Sequence, residues 1–310
     1  MSMDKLVRAI AAKQAPVVVG LDPTLSYVPE FLLADAICRL GETQEAAADA
    51  VLAYNKGIID AVYDLVPAVK PQYAYYEQFG WQGMRTLQET IAYAKSRGLY
   101  VIGDGKRNDI GSTMEAYANA HLGKVMVGNT AQRAFDVDTL TVNGYLGTDG
   151  IAPLLALCKE EDKGIFVLCK TSNPSSGELQ DKEIDGVPVY AQMAALCREW
   201  EKDTIGETGY GAVGAVVGAT YPAQLKELRS AMPHTVFLIP GYGAQGGKAA
   251  DIALGFDKNG CGAIVNSSRA ILCAYKKDGY APEEYGKAAR EETQRMIAEL
   301  CGFLPKIRLN

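Results

Sequence analysis

The sequence is poor in the residues from which metal centres and disulfide scaffolds are built. Its 310 residues include only two histidines, His121 and His234, and its seven cysteines are scattered along the chain with no CxxC pair. This distribution excludes the usual zinc frameworks, and an odd number of scattered cysteines excludes a disulfide scaffold. We therefore expect buried free thiols and a reducing compartment.

Long apolar segments and clusters of basic residues are also missing. No window approaches the length of a membrane-spanning helix, and the N-terminal MSMDKLVRAIAAKQAP has the pattern of an amphipathic helix rather than of a signal peptide. The net charge is -6, and no run of Lys and Arg could follow nucleic-acid phosphates. We expect a cytoplasmic protein that binds neither membranes nor nucleic acid, although a local site for one small anion remains open.

What the sequence does contain is a series of eight short apolar runs rich in Val and Ile. Segments with helical spacing, such as 45–66, 187–203 and 223–231, lie between most of them. Continuous apolar strands indicate a parallel sheet covered on both faces, and repeated strand–helix alternation favours an α/β fold of the (β/α)8 TIM-barrel type over a doubly wound open sheet. The runs are 17–23, 67–72, 99–106, 140–145, 165–174, 214–220, 236–243 and 263–269.

No linker, repeat or low-complexity tract marks a second domain. We expect a single barrel domain over residues 1–310, with an N-terminal helix at 3–14 and closing helices after about residue 271. The regions 23–34 and 175–186 are predicted to be loops that elaborate one end of the barrel.

The polar residues that end the runs are expected to meet, because the carboxyl ends of barrel strands lie at one end of the barrel. Asp104 and Lys106 are two positions apart on a strand and should project side by side, with Lys70 on the neighbouring strand and Asp109 after a short turn. Flanking carboxylates would keep Lys106 charged, as a proton donor needs. Taken by itself, the cluster could also be a salt-bridged strand end. The full ring is Asp22, Lys70, Asp104, Lys106, Asn143, Ser172, Gln245 and Arg269.

The last two runs end in groups suited to binding an anion. PGYGAQGG (240–247) offers converging backbone N–H groups and the Gln245 side chain, and NSSRAI (266–271) offers the guanidinium of Arg269. A Gly-rich loop alone can be only a tight turn. Together with an arginine at the next strand end, where barrels commonly bind phosphate, it predicts a phosphorylated ligand.

These segments resemble the orotidine 5′-phosphate decarboxylase family, particularly its longer bacterial branch. The family's Asp-x-Lys-x-x-Asp motif corresponds to DGKRND (104–109), and the similarity extends over about residues 17–271. The departures are mild: Gly105 and Asn108 fill variable positions, and Asn143-Gly144 stands where Asn-Pro is expected. The other matching segments, in the family's order, are GLDP (20–23), VKPQYAYYE (69–77), KTSNPS (170–175), IPGYGAQGG (239–247) and NSSRAI (266–271).

The resemblance implies a homodimeric barrel that converts orotidine 5′-phosphate to uridine 5′-phosphate (UMP) and CO2, the last step of de novo UMP synthesis in the pyrimidine pathway. It implies no metal and no organic cofactor. The Gly-rich loop of the seventh strand is the candidate lid.

The resemblance also implies a role for each site residue. Lys106 would protonate C6 of the base, Asp104 would lie beside the scissile carboxylate, and Lys70 would bridge toward the ribose. Asp109 would come from the partner subunit, and Thr113 would reach the same ribose. The remaining substrate-binding residues would be Asp22 for the ribose hydroxyls, Ser172 for the pyrimidine edge, and Gln245 and Arg269 for the phosphate.

Two other functions are compatible with the sequence. Metal-assisted relatives on the same scaffold, 3-keto-gulonate-phosphate decarboxylase and hexulose-phosphate synthase, share the Asp-x-Lys-x-x-Asp motif, but Lys70 stands where they would need a Glu for magnesium. A catalytically silent nucleotide-binding protein would keep the phosphate site and should lose the charge array. All four charged members, Lys70, Asp104, Lys106 and Asp109, are present.

Overall fold

The computed structural model describes residues 2–243 and 247–309. In this part of the chain, eight parallel strands alternate with helices and close into a barrel in chain order, which confirms the predicted TIM barrel. The strands are β1 Val17–Leu21, β2 Ala68–Pro71, β3 Tyr100–Arg107, β4 Thr139–Val142, β5 Gly164–Lys170, β6 Val213–Val217, β7 Phe237–Ile239 and β8 Ala263–Ser267. Pairing of β1 with both β2 and β8 closes the ring.

Helices cover the outside of the barrel and one of its ends. They are α1 Ser2–Lys13, α2 Glu30–Leu40, α3 Gln44–Val62, α4 Ala74–Glu77, α5 Gly80–Ser96, α6 Gly111–His121, α7 Thr148–Glu161, α8 Val189–Glu201, α9 Pro222–Ala231, α10 Ala249–Ile252, α11 Arg269–Leu272 and α12 Tyr285–Cys301. Two short antiparallel hairpins, Val125–Val127 with Thr130–Gln132 and Glu183–Ile184 with Val187–Pro188, are added to this frame.

The expectation of a loop at 23–34 was wrong in its second half, because α2 begins at Glu30. Ala36 is the one buried residue of this helix, but Leu33, Ile37 and Leu40 repeat at helical spacing, a signal that predicts an amphipathic helix. The segment 175–186 also contains regular structure, a 3-10 helix over Pro174–Glu178 followed by a two-residue strand.

The hydrophobic core has two layers that the strand pleat separates. Side chains such as Val19 and Val101 face outward and pack beneath the helices, and alternate residues such as Val18 and Ile102 fill the barrel interior. The apolar face of α1, including Leu6 and Ile10, belongs to the interior group. We infer that α1 closes the end of the barrel opposite the carboxyl ends of the strands.

The described residues also bear on the expectations about disulfides, membrane-spanning helices and metal-binding groups. All seven cysteines are free, and four of them are buried, whereas Cys38 is exposed. Within residues 2–243 and 247–309, no helix is long and apolar enough to cross a membrane. The same residues contain no group of three or more His, Cys, Asp and Glu side chains able to hold a metal ion.

Candidate active site

A cavity of about 760 Å³ opens at the carboxyl ends of the strands. Its floor includes apolar side chains of the barrel, Leu168, Val216 and Leu238, and its walls are mostly polar. Of the residues that the sequence singled out, the structure brings Asp22, Lys70, Asp104, Lys106, Ser172 and Arg269 to this cavity. The polar strand ends therefore surround one space with an apolar floor.

The Asp104 carboxylate is the centre of the charged side of the cavity. Its Oδ2 accepts a hydrogen bond from Lys70 Nζ at 2.6 Å, and its Oδ1 accepts one from Lys106 Nζ at 2.7 Å. Lys70 and Asp104 are both buried, at 4% and 7% exposure. Asp22 Oδ1 lies 3.9 Å from Lys70 Nζ, so carboxylates and ammonium groups alternate along one wall.

This arrangement fixes the charge of the buried pair. Burial alone would raise the pKa of Asp104, but the ammonium groups of Lys70 and Lys106 outweigh it and hold the pKa well below its usual range. Burial alone would lower the pKa of Lys70, and the carboxylates of Asp104 and Asp22 reverse that effect, so its pKa is raised. Asp104 and Lys70 are therefore both ionised at neutral pH.

Thr141, on the neighbouring strand β4, ties this network to the backbone. Its Oγ1 donates to Asp104 Oδ1 at 2.8 Å and accepts from the Lys106 N–H at 3.0 Å. Thr141 is buried and lines the cavity. The sequence reasoning missed this residue, although a threonine within the apolar run 140–145 is a signal that could have found it.

The strand β3 is irregular where it carries the motif. Its pairing with β4 shifts register between Gly103 and Arg107, and Lys106 has a backbone φ of 46°. A lysine rarely adopts this left-handed conformation, and such strain is kept only where the surroundings compensate for it. Asp104 and Lys106 do meet, but through this irregularity rather than through the plain alternation of a regular strand.

Two residues of the cavity lining each have one buried oxygen without a hydrogen bond. Asp22 Oδ1 and Asn266 Oδ1 are buried and have no hydrogen-bond partner among the described residues, and both residues line the cavity. Gly20 allows β1 to approach β8 here, because a Cβ at Gly20 would lie 1.8 Å from Ser268 Oγ. Buried acceptors without partners are uncommon in folded proteins, so these two oxygens set this edge of the cavity apart.

The part of the cavity that follows β8 carries the basic group that the sequence predicted. Arg269 lines the cavity at the end of β8 and is exposed, and it has no carboxylate partner within residues 2–243 and 247–309. Its guanidinium is therefore available to an anion. Gln245 and the centre of the candidate lid lie outside the described residues.

Asp109 and Thr113 do not join the cavity in a single chain. Neither belongs to its lining. The Asp109 carboxylate accepts from the Ile110 N–H at 2.8 Å, and Thr113 is exposed on the first turn of α6. Of the four charged residues predicted to form an array, Lys70, Asp104 and Lys106 lie together in one chain. Asp22, rather than Asp109, is the second carboxylate of this cluster.

Fold and site together define a TIM-barrel protein with an alternating charge cluster and an arginine around one cavity. The model of the "Orotidine 5'-phosphate decarboxylase / HUMPS family" matches residues 16–283. A protein of Rhodopirellula baltica named orotidine 5'-phosphate decarboxylase is 47% identical over 288 residues, covering 92% of this chain and 93% of that protein. One of the same name from Caldicellulosiruptor saccharolyticus is 40% identical, with 92% and 93% covered.

A solved structure of similar fold carries the same name. The structure of Leishmania donovani OMP decarboxylase superposes with a TM-score of 0.71 at 28% identity, covering 96% of this chain and all of that chain (100%). The chain belongs to the orotidine 5′-phosphate decarboxylase family.

The contacts of Thr141 give a prediction that does not depend on function. Thr141→Val keeps the shape of the side chain but leaves the Lys106 N–H without its acceptor and Asp104 without one donor. We expect a loss of about 1–3 kcal/mol in the free energy of unfolding, measured by denaturant unfolding. Thr141→Ser, which keeps the hydroxyl, is the matched control and should lie closer to the wild type. Equal stability of the Val variant and the wild type would contradict this account.

Proposed function

We propose that this chain decarboxylates orotidine 5′-phosphate to UMP and CO2, the last step of UMP synthesis, with Lys106 as the proton donor and without a metal or organic cofactor. The family membership supports the reaction. The observation that carries the mechanism is the Lys106 ammonium, 2.7 Å from the Asp104 carboxylate at the cavity wall, with Arg269 lining the same cavity.

The chemistry of decarboxylation fits this charge arrangement. When the bond from C6 to the carboxylate breaks, CO2 leaves and the electron pair stays on C6, an sp² carbon with no π-system to absorb it. An ammonium fixed beside C6 stabilises that charge as it develops. Lys106 then gives its proton to C6, which forms the C–H bond of UMP, and the neutral amine regains a proton from water.

The other cavity residues would hold the substrate. Arg269 would bind the phosphate, together with Gln245, because a guanidinium matches phosphate oxygens through its fork of donors. The Asp22 carboxylate lines the cavity and would accept from a ribose hydroxyl, with Lys70 beside it. Ser172 would contact the polar edge of the pyrimidine. Binding energy from the distant phosphate would then favour the closed, organised site.

We also infer that two copies of the chain share each active site. Asp109 and Thr113 lie outside the cavity of their own chain and would reach the site of a partner. Exposed hydrophobic residues, including Ile110, Tyr145 and Leu146, belong to the segments around Asp109, and exposed apolar surface of this kind favours association. The free cysteines support a reducing location such as the cytoplasm.

The metal-assisted alternative has less support from the site. Both oxygens of Asp104 already accept hydrogen bonds, from Lys70 on one side and from Lys106 and Thr141 on the other. Lys70 also places a positive charge where a metal ion would need an acidic ligand. Magnesium favours carboxylate and water oxygens around it, so this network suits an ammonium rather than a divalent cation.

The direct test is turnover of orotidine 5′-phosphate by the purified chain, followed by ultraviolet absorbance with and without a chelator. We expect turnover that the chelator leaves unchanged. Lys106→Ala should lower kcat by at least about a thousandfold, because the charge on C6 loses its stabilising group, while UMP binding changes little. Arg269→Ala is the comparison variant and should mainly raise KM.

The outcomes separate the three candidate functions. Tight UMP binding without turnover would favour a silent nucleotide-binding protein, and activity that the chelator abolishes would favour the metal-assisted relatives. An unchanged KM in Arg269→Ala would contradict its assignment to the phosphate.

The shared site can be tested by co-expressing two inactive variants, Lys106→Ala and Asp109→Asn. If Asp109 serves the partner, a mixed dimer contains one site with both changes and one intact site. Random pairing should then restore about a quarter of the wild-type activity. Lys106→Ala co-expressed with Asp104→Asn is the control and should stay inactive, because both residues act within their own chain. If the mixture of Lys106→Ala and Asp109→Asn regains no activity, the proposal of a shared active site is wrong.

A further inference from the structure

The most deeply buried charge in the described chain does not touch the cavity. Lys170 is the last residue of β5, and its side chain is 0% exposed. Its Nζ donates to Asp181 Oδ1 at 2.7 Å and to Ser176 Oγ at 3.2 Å. A buried ammonium is costly unless it is paired and hydrogen-bonded, so these contacts determine where the loop that follows can lie.

Aromatic rings surround the same ammonium. Lys170 Nζ lies 4.4 Å from the ring centroid of Tyr221 and 5.9 Å from that of Tyr190. Cation–π attraction strengthens when the cation is removed from water. Since Lys170 is not part of the cavity lining, its charge acts on the loop rather than directly on a ligand.

The loop that Lys170 holds is the 171–182 segment, which forms one wall of the cavity. Thr171, Ser172, Asn173 and Gln180 all line the cavity. The Gln180 side chain bridges both ends of the segment, because its Oε1 accepts from the Thr171 N–H at 2.9 Å and its Nε2 donates to Thr171 Oγ1 at 2.8 Å. Gln180 directly precedes Asp181, so the ion pair of Asp181 with Lys170 keeps Gln180 against Thr171.

The neighbouring strand holds the other side of this wall. Thr220 Oγ1 donates to the Ser172 carbonyl at 3.2 Å. A Cβ at Gly218 would lie 2.8 Å from Ser172 Cα and Cβ, so a glycine is needed for this close approach. Ser172 therefore has little freedom as long as the 171–182 segment keeps its position.

The order of the strands indicates which part of a nucleotide this wall would meet. The charge cluster lies on β2 and β3, and Arg269 follows β8. The wall follows β5, which β4 separates from β3 and which β6 and β7 separate from β8. A nucleotide with its phosphate at Arg269 and its reacting carbon at Lys106 would turn the far edge of its base toward β5.

We propose that Lys170 is a positioning residue that fixes the 171–182 segment and so sets the affinity of the cavity for the base of the nucleotide. This inference rests on the proposed function. It assigns to the Lys170–Asp181 ion pair an effect on ligands that carry a base, and none on ligands that consist only of sugar and phosphate.

The test compares two ligands in Asp181→Asn and in Lys170→Met. Inhibition by UMP reports on the whole nucleotide, and inhibition by ribose 5-phosphate reports on the sugar and phosphate alone. We expect UMP binding to weaken by about tenfold, because the segment must then be ordered on binding, with ribose 5-phosphate changed less than about threefold. KM for orotidine 5′-phosphate should rise more than kcat falls.

Lys163→Met is the matched control. Lys163 is also buried, at 6% exposure, and its Nζ donates to Asp136 Oδ1 at 2.7 Å. It directly precedes β5, at the end of the strand opposite Lys170. We expect this variant to leave both inhibition constants unchanged, because its ion pair holds no wall of the cavity.

Amide hydrogen exchange of the 171–182 segment provides a readout that does not need catalysis. Asp181→Asn should exchange faster there than the wild type, and Lys163→Met should not. Three results in Asp181→Asn would each overturn the inference. They are an equal loss of affinity for UMP and for ribose 5-phosphate, unchanged UMP binding, and unchanged amide exchange of the 171–182 segment. Absence of turnover in the wild type would instead defeat the proposed function, and the exchange comparison would still decide the role of Lys170.

Discussion

The charged side of the cavity depends on one carboxylate shared by two ammonium groups. Asp104 accepts from Lys70 and Lys106 through different oxygens, so each lysine keeps a fixed direction. Taking such charges out of water is expensive, and the cost is recovered only if every member is paired and hydrogen-bonded. The network can therefore be buried as a unit, whereas removal of one member leaves an uncompensated charge.

The barrel supplies the positions that this network requires. Neighbouring strands place Lys70, Asp104 and Thr141 side by side on β2, β3 and β4, and the interior side chains form the apolar floor beneath them. With α1 packed against the same interior group, the carboxyl ends of the strands remain as the open end. The fold thus separates the residues that provide stability from those that face the ligand, as is typical of this architecture.

Much of this could be predicted from the sequence, because the signals are local. Eight continuous apolar runs predict buried parallel strands, and polar residues after each run mark the open end. The features that could not be predicted depend on contacts between residues that are distant in sequence. The left-handed backbone of Lys106 is supported by Thr141, 35 positions away, and the wall after β5 depends on Lys170. The helix α2 was missed although its apolar residues Leu33, Ile37 and Leu40 have helical spacing.

The ionisation of Asp104 shows directly whether two ammonium groups share its carboxylate. The carboxyl carbon of Asp104, assigned by comparison with Asp104→Asn, can be followed by NMR from neutral pH down to about pH 3. A lowered pKa means that the ion pairs persist below the ordinary value of 3.8 and are lost only as the pH falls through the folded-state value. We expect no titration of this carbon over that pH range while the protein stays folded. A transition near 3.8 would contradict it.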